Sequence, residues 1–232
     1  MRNSIVLSAI VASSLGLGGC ITSWHSVKVH RPVDQELDQT VTQMWADEVR
    51  DVAQDGDWIL SRSYYFVGDV ISTFTSGEDL SHASIYSAKT GTVIEAVTPV
   101  VREIPLEQLI QRNHYLIVVR PNKMTVEERA ASVERARSKV GAAFDTRGMF
   151  GFDNPEKYYC SELVYWAADV GNRFDESQTV ITPPEMMSYG QVVYWSGQRD
   201  DTQVLAAAAS HIADHDDLAV RAEATKKRLA AR

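Results

Sequence analysis

Cysteine is nearly absent from this chain: only Cys20 and Cys160 occur in 232 residues. Two residues so far apart in type of setting exclude a disulfide framework as the organising device. Basic charge is also short, with 23 Lys and Arg against 31 Asp and Glu, a net charge of -8 at pH 7. No basic stripe is available to neutralise phosphates, which excludes nucleic acid as a partner. The leading apolar run, Ile5 to Leu17, is too short to span a bilayer. No internal repeat is visible. What remains is ordinary: 44% hydrophobic and 23% charged, enough for one domain with a real core plus appendages.

Met1-Arg2-Asn3 carries a positive charge ahead of that apolar run, the pattern of a signal peptide. The run closes at Leu17-Gly18-Gly19-Cys20, which resembles the lipobox of bacterial lipoproteins, with Gly18 a less common residue at its place. The resemblance implies removal of residues 1–19 and acylation of Cys20, each buried methylene contributing about 0.8 kcal/mol of membrane affinity. The competing reading is an ordinary secretory leader cut nearby. Ile21, in place of an aspartate, favours by the same resemblance an outer-membrane anchor facing the periplasm. Cys160 is then without an intramolecular partner in an oxidising compartment. Such a thiol is either buried and inert or reactive.

Residues 20–35 read as a polar tether. From Leu37, the apolar positions Val41, Met44, Trp45, Val49 and Val52 predict an amphipathic helix, broken at Gly56-Asp57. Trp58-Ile59-Leu60 opens a strand. Residues 82–86 alternate, Ala88-Lys89-Thr90-Gly91 turns the chain, and residues 92–97 complete a hairpin. Residues 115–119 form a further strand, stopped by Pro121. Thr125-Val126-Glu127-Glu128 matches a capping box and starts a helix through Val140, ended at Gly141. Another helix starts near Cys160, with Leu163, Trp166, Ala167 and Val170 on one face and Gly171 as its stop. Residues 192–195 are a late strand. The expected domain covers residues 36–198, and residues 199–232 form an alanine-rich, charged tail that is helical or partly disordered.

The chemistry starts from Cys160. A thiol attacks only as its thiolate, and a helix N-terminus favours the negative sulfur through unpaired backbone N–H groups and the macrodipole. The same N–H groups stabilise an oxyanion, worth roughly 3 kcal/mol per donor. A histidine completes the ion pair and protonates the leaving group. His82 opens one strand of the hairpin, and Glu95 lies on its partner. If Ser84 pairs with Glu95, His82 and Glu95 are diagonal neighbours on one face; a slip of one residue separates them. In the favourable register the carboxylate holds the imidazole tautomer. The bland alternatives are a small buried cysteine, a histidine satisfied by backbone and a solvent-facing carboxylate.

Gly56-Asp57-Trp58-Ile59-Leu60, Ser81-His82-Ala83-Ser84-Ile85-Tyr86, Val93-Ile94-Glu95-Ala96 and Tyr159-Cys160-Ser161-Glu162-Leu163-Val164, in this order, carry a family resemblance. The chain resembles the YiiX/YaeF branch of the NlpC-type, papain-like cysteine hydrolases, over roughly residues 55 to 190. Members are circularly permuted, so histidine precedes cysteine. The resemblance implies an α+β fold, with an antiparallel sheet packed against the helix that bears the nucleophile. It implies Cys160 as nucleophile, His82 as base and Glu95 as orienter. One departure is Phe144, where many relatives carry a tyrosine whose hydroxyl would assist the oxyanion.

Asp145, Ser161 and Tyr64 are candidates for substrate contact. The Tyr64-Tyr65-Phe66 cluster also reads as core or cleft wall. His211 and His215, beside Asp214, lack the glutamate after the first histidine that a zincin needs, since Ile212 stands there. No metal site is expected, and acyl transfer to water requires no organic cofactor. An envelope location and the family resemblance favour peptidoglycan stem peptides as substrate, acting beside a membrane reached through the lipid anchor. An acyl-lipid amidase or acyltransferase is the enzymatic rival. A binding module that keeps the fold without turnover is the other class.

Overall fold

The computed structural model describes residues 26–65, 69, 78–152 and 154–214. The leader, Cys20 and His215 lie outside the described residues. Helix α1 covers Gln35–Val52 and is followed by strands β1 (Trp58–Ser63), β2 (His82–Ser87), β3 (Thr92–Val97) and β4 (Val100–Pro105). Next come helix α2 (Leu106–Gln111), strand β5 (Asn113–Pro121) and helix α3 (Val126–Arg137). Helices α4 (Cys160–Ala167), α5 (Val170–Phe174) and α6 (Pro183–Met186) precede strand β6 (Gly190–Trp195). Residues 202–214 are helical.

The six strands form one antiparallel sheet in the order β4-β3-β2-β1-β5-β6. Apolar residues run continuously along its central strands because both faces are covered. Successive residues point to opposite faces, so Trp58 and Leu60 of β1 join Ile117 and Val119 of β5 on one side. Helices α3 and α4 close that core with Val133, Ala136, Leu163, Val164 and Ala167. Ile59, Leu116 and Val118 point the other way, into a second core with Val41, Trp45 and Val49 of α1 and Leu106, Leu109 and Ile110 of α2. Each fully buried aliphatic side chain contributes about 1.5–3 kcal/mol. The fold is therefore the expected α+β layering.

Local chemistry sets the element ends. Asp34 caps α1, its side chain accepting from the N–H groups of Glu36 and Leu37. Thr125 and Glu128 form the reciprocal capping box that the sequence announced for α3. Gly56 has φ 79°, and a Cβ there would lie 2.4 Å from the carbonyl oxygen of Arg129. Only glycine lets the turn before β1 approach α3 so closely.

Some boundaries differ from the sequence expectation. Helix α3 ends at Arg137, and turns carry the chain to Gly141 at φ 93°. Helix α4 stops at Ala167; Asp169 takes a left-handed conformation (φ 56°), and Gly171 falls inside α5 rather than ending α4. Trp166 is 39% exposed, because the buried face of α4 is Leu163, Val164 and Ala167. It packs on Tyr158 at 5.3 Å with the Lys139 ammonium 4.7 Å above it. Strand β4 and helix α2 were not expected; α2 is only six residues long, although Leu106, Leu109 and Ile110 have helical spacing and are its buried side.

Two segments expected outside the domain pack on it. Ser26 donates from its backbone to the Tyr64 carbonyl at 2.5 Å, and its hydroxyl donates to Asp69 at 2.5 Å. Arg199 is fully buried over the Trp45 ring. It donates to Asp38 and Thr42 of α1 and to the carbonyls of Ile110 and Asn113, at 2.8–3.2 Å. Ala208, in the helical stretch that follows, is buried in the second core.

Candidate active site

His82 and Glu95 meet because of the β2–β3 register. Ile85 faces Ile94 and Tyr86 faces Val93, so one step further along the ladder Ser84 lies opposite Glu95. His82, two residues before Ser84, is the diagonal neighbour on the same face. Its Nε2 sits 2.7 Å from Oε2 of Glu95. The second ring nitrogen, Nδ1, is left for the hydrogen bond that His82 shares with the Cys160 sulfur. Cys160 is the first residue of α4, and the Glu162 carboxylate accepts from the Tyr159 N–H at 3.0 Å to close that helix end. Three side chains from β2, β3 and α4 thus form one continuous chain of contacts.

Their charges support one another. Burial works to lower the basicity of His82, but its bonds to Cys160 and Glu95 and their negative charges overcome this and raise it to about 9. Burial likewise disfavours the Glu95 carboxylate. The His82 bond and charge, together with the Arg112 and Arg102 guanidiniums, outweigh it and lower Glu95 to about 2. At Cys160 burial disfavours the thiolate, and the His82 bond and charge with the N–H groups of Ala83 and Ser161 draw the thiol below its ordinary value. These interactions together favour a thiolate beside an imidazolium, backed by a buried carboxylate.

Two residues of this cluster carry no sequence signal. Arg102, directly opposite Glu95 on β4, donates Nε to Oε1 at 2.9 Å. Arg112, just after α2, donates Nη2 to Oε2, the oxygen that also serves His82. Cross-strand pairing would have pointed to Arg102 had β4 been recognised. Arg112 reaches Glu95 only through the path of α2 and β5.

The remaining candidates separate. Ser161 is fully buried, its hydroxyl donating to the Ile181 carbonyl at 2.7 Å, so that only its N–H is turned to the sulfur. Asp145 is buried in the loop before α4, where Oδ1 accepts from the N–H groups of Arg147 and Gly148; Oδ2 has no partner. Tyr64 lies away from the trio: its hydroxyl contacts His114 at 3.3 Å, and Arg31 sits 5.7 Å from its ring. Phe144 donates its N–H to the Pro99 carbonyl at 2.9 Å and packs against the first core, with no hydroxyl to offer. Among the described residues, no group of three or more His, Cys, Asp and Glu is gathered as a metal site. Beside α4 lies an open groove of about 740 Å³, bordered by Tyr159, Glu162, Asp169, Glu176, Gln178 and Ile181.

A sheet-and-helix scaffold with histidine ahead of a helix-borne cysteine defines a cysteine hydrolase of permuted papain-like fold. Residues 52–206, more than half of the chain, match the family of permuted papain-like amidases YaeF/YiiX, the C92 peptidases, and the chain belongs to that family. Its activity is accordingly of the cysteine amidase kind. Among solved structures, the chain is similar to one titled metalloprotein YiiX from Escherichia coli O157:H7. The identity is 20% and the TM-score 0.47, with 62% of this chain and 97% of the other covered. The comparison with curated proteins found no match.

Proposed function

We propose that Cys160, His82 and Glu95 form the catalytic triad of a cell-envelope amidase that cleaves amide bonds in peptidoglycan stem peptides. The observation that carries this reading is the imidazole of His82, held between a buried carboxylate at 2.7 Å and the sulfur at a helix N-terminus. The Cys160 thiolate attacks the carbonyl carbon, and the N–H groups at the start of α4 receive the developing oxyanion. His82 passes its proton to the departing amine, leaving a thioester. Water then adds to the thioester as His82 takes its proton, and the released sulfur returns as thiolate with the acid as product. Glu95 holds the ring and its charge throughout.

The groove bordering α4 is open and lined largely by polar and acidic side chains. None of Cys160, His82 and Glu95 borders that groove, so the choice of peptide as substrate rests on the envelope location and the family rather than on its lining. Acylation of Cys20 would hold the enzyme at the outer membrane, facing the periplasmic peptidoglycan.

The test is incubation of the full chain, in detergent, with purified muropeptides and separately with N-acyl lipids, beside a Cys160→Ala control. Cysteine-dependent cleavage of muropeptides supports the reading. Cleavage of the lipids alone replaces it with the acyl-lipid amidase. An unreactive Cys160 that turns over neither would leave a binding module.

A further inference from the structure

We propose that Arg112 is a positioning residue. As a second cation on the carboxylate oxygen of Glu95 that serves His82, it sets, through that carboxylate, the upper pH at which the Cys160–His82 pair stays charged. The inference rests on the triad reading above and extends it to a residue that no sequence motif contains.

Three donors converge on Glu95, whose side chain is 0% exposed: Nε2 of His82 and Nη2 of Arg112 on Oε2, and Nε of Arg102 on Oε1. The two arginines are not equivalent. Arg102 is 39% exposed and binds the oxygen turned away from the histidine, whereas Arg112 is 15% exposed and shares the histidine's oxygen. Solvent screens the first far more than the second.

Arg112 keeps its Nε–H buried without a partner, as Arg129 also does, so among the described residues the side-chain bond that fixes its guanidinium is Nη2 to Oε2 of Glu95. The backbone of Arg112 is fixed independently, its N–H donating to the Leu109 carbonyl and its carbonyl accepting from Tyr64. The side chain is therefore free to serve the carboxylate.

The charged groups around His82 are Glu95 on β3, Cys160 on α4, Arg102 on β4 and Arg112 after α2, while its partner on β1 is the neutral Ser61. Two are anions that favour the imidazolium and two are cations that oppose it, with Arg112 the nearer cation by virtue of the shared oxygen. Removing its charge while Arg102 and His82 still hold Glu95 strengthens the pull of the carboxylate on the imidazolium. The pair then stays charged to higher pH, not lower. A lysine at 112 keeps the charge and restores the original range.

The experiment uses the full chain in detergent with isotopically labelled histidine, the His82 signal being assigned from a His82→Asn spectrum. Imidazole titration by NMR is run beside iodoacetamide labelling of Cys160 for wild type, Arg112→Met and Arg112→Lys. The expected result is a wild-type midpoint near 9, moved up by about one pH unit in Arg112→Met and back within a few tenths of a unit in Arg112→Lys. An unchanged or lower midpoint in folded Arg112→Met overturns the proposal. Lowered thermal stability in both variants with the midpoint fixed would mark a structural arginine only. If Arg112→Met does not fold, Arg112→Gln carries the same test with a neutral donor. A wild-type Cys160 that titrates as an ordinary thiol overturns the triad reading along with this one; a charged wild-type pair with an immobile midpoint overturns only the role of Arg112.

Discussion

Replacing Glu95 by glutamine removes one negative charge and almost no volume from a side chain with no exposed surface. His82 stands at about 9 against an ordinary 6.5, a difference of roughly 3 kcal/mol in favour of the charged ring. That sum is shared between Cys160 and Glu95 and is what remains after burial has opposed it. Glu95 at about 2, against 4.5, shows the same interactions from the carboxylate side, so the two figures are not added. With glutamine, the imidazolium keeps only the sulfur as an anionic partner while burial still disfavours it. Proton transfer from Cys160 to His82 then becomes unfavourable at neutral pH. Alkylation of Cys160 by iodoacetamide at pH 6 is expected to slow at least about tenfold, and turnover at pH 7 by about 10²- to 10⁴-fold. Arg112 and Arg102 also lose their counter-ion. Discounting the half-screened Arg102, the stability loss is on the order of 2–3 kcal/mol. Urea unfolding measures that part, and labelling kinetics on the folded variant measure the rest. A folded Glu95→Gln protein that alkylates at pH 6 as fast as wild type would refute the account of how the thiolate is made.

Stability should depend on pH in a way set by the same pair. Glu95 is depressed, so its contribution is present above about 4.5 and lost as the pH falls through about 2. His82 is raised, so its contribution is complete below 6.5 and lost as the pH rises through about 9. Urea midpoints are thus highest between these limits, and Glu95→Gln should flatten both flanks. A second substitution probes the fold rather than the chemistry. Arg199→Met leaves the carbonyls of Ile110 and Asn113 and the Asp38 carboxylate without their buried donor, with a loss of about 3–5 kcal/mol expected in chemical denaturation. A change below about 1 kcal/mol would show that the chain beyond β6 is dispensable to the domain.

The local elements were legible because each has a local cause. Thr125 and Glu128 announce a helix start whatever lies around them, and the alternation over residues 82–97 announces a hairpin. Cys160 at the head of Leu163 and Ala167 announces a helix that buries one side. Failures were local too: Gly171 looked like a helix stop, but the chain had already turned at Asp169. Partnerships across the sheet were a different matter. The hairpin alone allowed two registers, and only the pairing of Ile85 with Ile94 put His82 and Glu95 on one face.

By itself, then, the order of residues determined the classes of most elements and put Cys160, His82 and Glu95 forward as candidates. Periodicity, capping and motif order are all written within a few residues of one another. Tertiary structure alone decided which distant charges surround them. Arg102, Arg112 and Arg199 look like any surface arginine in the sequence. Whether a guanidinium lies in water or against a buried acceptor depends on the paths of separate elements in space, and no local pattern encodes that.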